Sequence, residues 1–391
     1  MFEIILKKIK PAENEERDIS TKVSKFLKIL NKNLSEGKAI VGGSFAKGTW
    51  LKGQHDIDLF ALFSSEEKIS DKLEKAVKKS FKKYERIHGS RDYFIVDFEN
   101  LSFEIIPVLK IKNATEAKNI TDISPLHVKW MNNNLNEKLK DEVRIAKQFC
   151  KANKVYGAET YIKGLHGYAL EILVYNYRSF MNLTKNAAKW KPNMLIHFGK
   201  NEFYSQQEFP LVLIDPVNPK RNATASLSRE KFYQFVSACK QFNKTKPLKM
   251  FEGKRIDKKK YNLILEIKPL EGSNDVAGTK ILKVFENIIS KLNNEGFKVK
   301  SKDWEFGEKS YLYFSLKNNS ISKYKKHYGP PVKFKEDLEN FKKKYGKYKV
   351  ENGRVYVMLK RKHTKAKDYA KELLKEKYIR ERAKNIKILK S

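Results

Sequence analysis

The sequence predicts an α+β protein of several domains, and three observations carry this prediction. The chain has 391 residues, which is long for one domain, and its hydrophobic content of 40% is ample for packed cores. Strand-like and helix-like apolar periods alternate over residues 1–112 and again over residues 244–320, whereas residues 113–243 are mostly helical in period. Residues 321–391 are strongly basic. We therefore predict four domains with these boundaries.

The composition indicates a polyanionic partner. The 82 Lys and Arg residues outnumber the 46 Asp and Glu residues, which gives a formal net charge of +36 and a pI of about 9.8. A lysine-rich proteome would also raise the charge without such a partner. Cys150 and Cys239 have no CxxC spacing, so neither a disulfide framework nor a zinc site is indicated. The chain opens with no signal peptide and has no apolar run of membrane-spanning length, so we expect a cytoplasmic protein without a membrane partner.

The spacing of apolar residues in the first domain, residues 1–112, predicts both helices and strands. Apolar residues at helical spacing are followed by Gly37, a typical stop signal. Alternating and continuous apolar runs further on predict the strands of one sheet. The predicted elements are a helix over 12–34, strands over 38–41 and 56–63, an amphipathic basic helix over 66–87, and strands over 92–98 and 101–111.

Three carboxylates interrupt these apolar strands. Asp56 and Asp58 project from one face of their strand because side chains alternate between faces. Glu104 lies in the run LSFEIIPVLKI, where a carboxylate is costly to bury unless it is paired or bound to a metal. Acids on adjacent strands suit two-metal nucleotidyl transfer, in which one metal lowers the pKa of the attacking hydroxyl and the other neutralises the triphosphate. We predict that Asp56, Asp58 and Glu104 are catalytic residues that bind Mg²⁺.

A glycine-rich turn precedes the first two acids. Gly43 leaves room for the backbone to approach a ligand, Ser44 adds a hydroxyl, and Lys47 adds a positive charge, so all three are predicted to bind the phosphates of a nucleotide. A P-loop is excluded, because its lysine must follow the last glycine, whereas Gly48 is followed by Thr49. An Asp-x-Asp triplet alone would more often be a solvated strand edge, and the turn and Glu104 argue against that interpretation.

The order Gly-Ser, eleven residues, Asp-x-Asp and a later acid resembles the DNA polymerase β-like nucleotidyltransferases. More narrowly, the segment GSFAKGTWLKGQHDIDLF is similar to the archaeal-type (class I) CCA-adding enzymes, which rebuild the 3′ end of tRNA. The resemblance implies a polymerase β-like head in residues 1–112, a helical nucleotide-binding neck in 113–243, an RRM-like body in 244–320 and a basic tRNA-binding tail in 321–391. Glu104 departs from the family's usual Asp, and Lys47 from the common Arg.

The same resemblance implies substrates and further site residues. The segments SPLHVKW, EVRIAK and KVYGAE resemble those whose His, Lys and Tyr hold the incoming triphosphate, which gives this role to His127, Lys147 and Tyr156. The segment DPVNPKRNATASLS resembles a loop whose arginine lies at the base edge, which gives that role to Arg221. Taken alone, such residues are more often structural or solvated. The implied substrates are ATP, CTP and tRNA lacking part or all of its 3′ CCA, with a two-metal Mg²⁺ site, and a homodimer is left open.

The apolar periodicity after residue 112 predicts a group of helices, followed by a second α/β unit. The predicted elements are a helix beginning near 123, helices over 136–152 and 161–177, a strand over 211–216, a helix from about 228, a connector over 243–260, a strand over 261–267, a helix over 279–292, and strands over 297–304 and 309–317. Residues 321–391 hold 24 Lys and Arg against 8 Asp and Glu, and residues 364–390 predict a basic helix. Such a surface neutralises phosphates without reading sequence. Two alternatives stay open: a poly(A) or poly(U) polymerase, and a non-catalytic RNA-binding protein.

Overall fold

The computed structural model describes residues 1–54, 56–199, 202–253 and 256–390. The chain divides into two compact units, residues 1–254 and residues 255–391. Among the described residues, no helix combines the length and the apolar character that crossing a membrane requires. The predicted α+β class is confirmed, because sheets and helical layers occupy separate parts of the chain.

The first unit begins with a five-stranded sheet that carries the predicted acids. Its strands are β1 (Gly37–Val41), β2 (Asp56–Phe63), β3 (Glu85–Ile87), β4 (Tyr93–Phe98) and β5 (Leu101–Leu109), in the order β1-β2-β5-β4-β3. Strands β2 and β5 are parallel, and the other pairs are antiparallel. The parallel register sets Asp58 directly opposite Glu104. The sheet therefore brings together acids that are far apart in the sequence.

Two helices cover one face of this sheet. They are α2 (Glu13–Asn33) and α4 (Ile69–Ser80), and they share one core with the strand residues Ile57 and Leu59. Phe26 of α2 stacks on Phe103 of β5 with 3.9 Å between the ring centroids. Because side chains alternate along β2, Asp56 and Asp58 belong to the opposite face, which these helices leave uncovered.

The helix predicted over residues 66–87 is shorter than expected. It ends at Ser80, Phe81 is extended, and residues 85–87 form β3 against β4. The extended backbone at Phe81 lets its ring stack on Phe26, 4.3 Å between centroids, within the core of the sheet and its helices. This tertiary contact, together with strand pairing, overrides the helical period.

The helical part of the first unit surrounds a second core. Its helices are α1 (Phe2–Ile9), α3 (Gly43–Ala46), α5 (Ser124–Asn134), α6 (Glu137–Ala152), α7 (Gly167–Tyr177), α8 (Phe180–Ala187) and α9 (Arg229–Thr245), of which α3 belongs to the turn before β2, and the parallel strands β6 (Met194–Ile196) and β7 (Leu211–Leu213) complete it. Helix α1 packs here through Phe2, which contacts Phe180. The helix predicted over 161–177 begins only at Gly167, because His166 caps it by accepting a hydrogen bond from the Ala169 N–H.

The second unit contains a βαββαβ sheet. Its elements are β8 (Leu263–Lys268), α10 (Asn274–Glu295), β9 (Val299–Glu305), β10 (Ser310–Leu316), α12 (Ala366–Leu373), α13 (Lys377–Arg380) and β14 (Asn385–Lys390), and the antiparallel strand order is β14-β8-β10-β9. This topology is that of ferredoxin-like and RRM-like domains. Between β10 and α12 lies a basic insert, residues 324–360, which comprises β11 (Tyr324–Pro331), α11 (Lys335–Tyr345), β12 (Lys349–Glu351) and β13 (Arg354–Lys360).

The helix predicted over residues 364–390 is wrong. Its range holds α12, α13 and β14, and Ala366, Ala370 and Leu373 are buried in the same core as β8 and β10. Strand β14 pairs with β8. The segment is rich in lysine and has few buried apolar residues, so its sequence pattern looks like that of a single basic helix. The predicted domain boundaries stay predictions.

Candidate active site

The three predicted acids lie on β2 and β5. Asp56 is exposed, whereas Asp58 and Glu104 are half-buried. Burial raises the pKa of Glu104 to about 7, and the negative charges of Asp58 and Asp56 contribute to this rise. Burial also raises the pKa of Asp58, against the lowering effect of Lys47. Carboxylates that repel each other in this way are stabilised by a cation.

The glycine-rich turn holds the Asp58 carboxylate in place. Gly43 adopts a left-handed backbone with φ of +56°, and a Cβ built on it would lie 1.6 Å from Asp58 Oδ2. The Gly42 N–H donates to the Asp58 carbonyl oxygen at 2.7 Å. Ser44 follows in α3 and is half-buried. Only glycine therefore allows this turn to approach the acid so closely.

Two predicted phosphate-binding lysines converge on one acid that sequence reasoning missed. Glu171 on α7 is fully buried and accepts from Lys47 Nζ at 2.6 Å and from Lys147 Nζ at 3.1 Å. Thr49 Oγ1 also donates to Glu171, at 2.7 Å. Burial lowers the pKa of Lys147 to about 8, whereas the two lysines lower the pKa of Glu171 to about 2, against the effect of its own burial.

Tyr156 lies beside this lysine pair. A Cβ at Gly167 would lie 3.3 Å from both Lys147 Cε and Tyr156 Oη, so both side chains border the start of α7. Burial raises the pKa of Tyr156 well above its usual range. Lys151, one turn after Lys147, holds its Nζ 5.2 Å from the centroid of the Tyr156 ring. Burial lowers the pKa of Lys151, and the negative charge of Asp56 opposes this lowering. Lys151 is thus a second missed residue, and its i,i+4 spacing from Lys147 was the available signal.

His127 and Arg221 meet at another missed acid. Asp215 follows β7, is fully buried, and accepts from His127 Nε2 at 2.9 Å and from Arg221 Nη1 at 2.8 Å through the same oxygen, Oδ2. Tyr168 donates its hydroxyl to Oδ1 at 2.7 Å, and its ring stacks on that of His127. Lys47 Nζ lies 5.7 Å from the centroid of the Tyr168 ring, which places this cluster beside the Lys47 and Lys147 pair.

Each missed acid carried a signal in the sequence. Glu171 interrupts the apolar run YALEILVY, and Asp215 interrupts LVLIDP. Burying an unpaired carboxylate is as costly at these two positions as it is at Glu104. All ten predicted site residues thus lie in this region of the first unit, on the sheet, the turn before it and the adjoining helices and loop.

Carboxylates such as these are the ligands of divalent metal ions. Within the described residues, no group of three or more His, Cys, Asp or Glu side chains is arranged so that it could hold a metal ion by itself. Mg²⁺ is usually bound by one or two carboxylates plus substrate phosphates, and it retains several waters. Burial raises the pKa values of Asp58 and Glu104, the negative charges of neighbouring acids add to this rise, and a bound cation would oppose it.

Comparisons with known proteins agree along most of the chain. Three family models match: a nucleotidyltransferase domain over residues 23–146, the second domain of tRNA nucleotidyltransferase over 141–252, and the C-terminal domain of the CCA-adding enzyme over 272–385. The CCA-adding enzyme of Nanoarchaeum equitans is 35% identical over 351 residues, which cover 85% of this chain and 86% of the relative. That of Sulfurisphaera tokodaii is 31% identical over 375 residues, which cover 93% and 89%.

Solved structures share the fold at low sequence identity. A structure of Cid1, an RNA terminal uridylyl transferase, has a TM-score of 0.52 at 12% identity and covers 65% of this chain and 98% of its own. A cytoplasmic RNA terminal U-transferase has a TM-score of 0.50 at 13% identity, with the same coverage. These matches show a shared fold over about two thirds of the chain.

Proposed function

Because this chain belongs to the CCA-adding enzymes, it is a tRNA nucleotidyltransferase, and we propose that it builds and repairs the 3′ CCA end from CTP and ATP without a nucleic-acid template. Its substrates are tRNA and nucleoside triphosphates, and its chemistry uses a divalent metal ion, which we assign as Mg²⁺. The observation that carries the site assignment is the register that sets Asp58 opposite Glu104, next to a turn shaped around Asp58.

We assign the chemistry to the open face of the sheet. Asp56, Asp58 and Glu104 would hold Mg²⁺, which lowers the pKa of the attacking hydroxyl and neutralises phosphate charge when bound. The 3′ hydroxyl of tRNA attacks the α-phosphorus, the bond between the α-phosphorus and its bridging oxygen breaks, and pyrophosphate leaves. The three carboxylates lie on the adjacent strands β2 and β5, with Asp58 directly opposite Glu104.

The triphosphate is assigned to the basic residues around α6 and α7. Lys47 and His127 supply donors, and the Gly43-Ser44 turn offers backbone N–H groups and a hydroxyl. Lys147 adds positive charge, because its ammonium already donates to Thr49 and Glu171. Lys47 and Lys147 face a single carboxylate, Glu171, so the cluster has a surplus of positive charge that an anionic phosphate offsets. Lys151 adds a further cation near Asp56.

Base choice is assigned to Arg221. Cytosine and adenine each present an exocyclic amine next to an unprotonated ring nitrogen, whereas uracil and guanine present a carbonyl and a protonated nitrogen there. A guanidinium can donate to the first arrangement but faces another N–H in the second, a mismatch of about 1 to 3 kcal/mol. The Arg221 side chain donates through Nη1 to Asp215 and forms no other side-chain hydrogen bond among the described residues, and about a quarter of it is exposed (24%). Its remaining donors are thus available to a base.

An addition assay tests this proposal. The purified chain is incubated with tRNA lacking its 3′ end, Mg²⁺ and labelled CTP or ATP, and the products are resolved at single-nucleotide length. We expect C, C and A to be added and addition to stop there. Asp58→Ala should lose all transfer while it keeps tRNA binding, because the phosphate contacts that supply that affinity lie elsewhere. Arg221→Ala should lower the use of CTP and ATP together and narrow their advantage over UTP.

The same assay separates the alternatives. Continued addition of A or U beyond three nucleotides would indicate a poly(A) or poly(U) polymerase. Binding of tRNA without transfer under any nucleotide and metal condition would indicate a non-catalytic RNA-binding protein. Transfer retained by Asp58→Ala would overturn the assignment of that acid.

A further inference from the structure

Both carboxylate oxygens of Asp215 are fully engaged in hydrogen bonds. Asp215 is fully buried, and each of its carboxylate oxygens accepts two hydrogen bonds. Oδ1 accepts from the Tyr168 hydroxyl at 2.7 Å and from the Val217 N–H at 2.9 Å. Oδ2 accepts from His127 Nε2 at 2.9 Å and from Arg221 Nη1 at 2.8 Å. A single oxygen therefore joins the residue assigned to the triphosphate with the residue assigned to the base.

The surroundings leave this cluster little freedom to rearrange. The His127 ring lies on the Tyr168 ring with 4.0 Å between centroids, and the Tyr168 hydroxyl is fixed on the same carboxylate. The Asp215 N–H donates to the Arg221 carbonyl oxygen at 3.0 Å, so the loop that carries Arg221 closes back on Asp215. Arg221 is accordingly tied to Asp215 by both its side chain and its backbone, at the oxygen that also holds His127.

We propose that Asp215 is a positioning residue that couples recognition of the base by Arg221 to placement of the triphosphate by His127. A base that repels the guanidinium disturbs its bond to Oδ2, and His127 then loses the geometry that the shared oxygen imposes. A wrong nucleotide is thereby disfavoured in the rate of transfer as well as in binding. This inference rests on the proposed function for the roles of His127 and Arg221, whereas the coupling itself exists in the free protein.

The first test needs no nucleotide. His127→Ala, Arg221→Ala and the double variant are compared by thermal unfolding of the free chain. Each single variant leaves Asp215 one cationic or imidazole partner on Oδ2, and the double variant leaves none, so the double variant should lower Tm by more than the sum of the two single decreases. Because nucleotide is absent, a shared substrate cannot cause this non-additivity. Additive decreases would overturn the proposal.

The second test measures nucleotide choice. Asp215→Asn should lower kcat/KM for CTP by about 10- to 100-fold and should also lower the preference for CTP over UTP. The amide is neutral and its NH2 group cannot accept, so it cannot satisfy all four donors around Asp215, and its bonds to His127 and Arg221 lose the carboxylate charge. Tyr168→Phe removes one of the two hydrogen bonds to Oδ1 and should change the same two quantities less, in the same direction. This milder variant keeps the test decisive if Asp215→Asn does not fold.

Asp122 offers a matched control. It is also fully buried, and it accepts from Arg91 and from the N–H groups of Leu109, Lys118 and Asn119, none of which is assigned to the nucleotide. Asp122→Asn should lower Tm and leave the preference for CTP over UTP unchanged. If Asp215→Asn behaves in the same way, its role is only structural and the proposal fails. Should the wild-type chain add nothing to tRNA, the proposed function fails, while the Tm comparison still reports on Asp215.

Discussion

At the residue scale, Glu104 has a pKa that its surroundings raise into the neutral range. Its pKa is raised from 4.5 to about 7, first by burial and then by the charges of Asp58 and Asp56. Between these two values, the folded metal-free protein holds a proton that the unfolded chain has released. The stability contributed by this group is therefore present at low pH and is lost as the pH rises through this window.

We expect the metal-free protein in EDTA to show a Tm that falls between about pH 5 and about pH 7.5, and Glu104→Gln to flatten this fall. Added Mg²⁺ should restore stability near the upper pH much more than near the lower one, because a protonated carboxylate does not bind the ion. Glu137→Gln, a change in an exposed acid paired with Lys140, serves as the control and should leave the pH dependence as it is. A Tm profile that Glu104→Gln does not alter would contradict the assignment.

The surroundings of Glu171 are opposite in charge to those of Glu104. Glu104 lies near two other acids, whereas the buried Glu171 carboxylate lies between two lysines. Glu171→Gln would leave Lys47 and Lys147 buried without their counter-charge, and breaking such a pair costs about 3 to 5 kcal/mol. We expect a large decrease in the free energy of unfolding in chemical denaturation, whereas the exposed pair of Glu137 with Lys140 should contribute about 0 to 1 kcal/mol when tested in the same way. Equal decreases from the two substitutions would mean that the buried network is not stabilising.

The partners of these acids explain where sequence reasoning ended. A carboxylate in an apolar run predicts that a cation or a donor lies nearby, and for Glu104 the neighbouring Asp-x-Asp supplied the interpretation. The partners of Glu171 are 124 and 24 positions away, and those of Asp215 include His127, 88 positions away. Only the folded chain shows that two predicted ligands share one unpredicted acid.

At the element scale, the turn before β2 determines where the acids are placed. The strands were predictable, because β2 spans the whole of the predicted range 56–63 and β5 lies within 101–111. Two glycines predict a turn that leaves space beside its backbone. They do not predict that the Asp58 carboxylate lies in the space beside Gly43. The end of helix α4 and the segment 364–390 were mispredicted for the same reason. Both segments are rich in lysine and fit a helical pattern, which does not show where a few apolar residues pack into the core and end the helix.

Two glycine substitutions separate the functional role of this turn from its conformational strain. Gly43→Ala places a Cβ 1.6 Å from Asp58 Oδ2 and must displace that carboxylate, so transfer should fall to the level of Asp58→Ala. Gly53→Ala has a comparable positive φ, +76°, but meets no atom within 4 Å. It should cost only the left-handed strain of about 1 to 2 kcal/mol and keep its activity. If Gly43→Ala and Gly53→Ala lose transfer activity equally at matched stability, the contact of Gly43 with Asp58 is not the cause of that loss.

At the scale of the whole molecule, the two sheets of the second unit offer different surfaces. On the RRM-like sheet, the hydroxyls of Tyr311 and Tyr313 donate to Glu266 and Glu305 at 3.2 and 2.6 Å. RRM domains stack bases on aromatic residues of this sheet, and acidic partners would repel the phosphates of an RNA. The body sheet is therefore a poor surface for nucleic acid, despite its topology.

The insert has the opposite character. Its 37 residues hold eleven Lys and Arg against four Asp and Glu, a net charge of +7. One face of its sheet packs on α11 through Val355, Val357 and Phe341. Alternate positions on the other face expose Tyr324, Tyr328 and Met358, between lysines. Aromatic rings among cations are suited to stacking on unpaired bases while phosphates are neutralised.

The last prediction concerns this insert, because deleting residues 321–391 would also remove α12 and β14 from the body core. The better variant removes residues 324–360 and joins the flanks with a short glycine linker, since the Arg361 N–H donates to the Lys323 carbonyl oxygen at 2.8 Å and the ends are adjacent. Binding to tRNA should weaken, and the slope of log K against log salt should flatten by roughly 0.7 to 0.9 for each phosphate that the variant no longer neutralises. Transfer to a short acceptor minihelix should suffer less, and this substrate serves as the control for an intact active site. An unchanged salt slope in a folded deletion variant would mean that the basic surface of the insert is only solvated and does not bind tRNA.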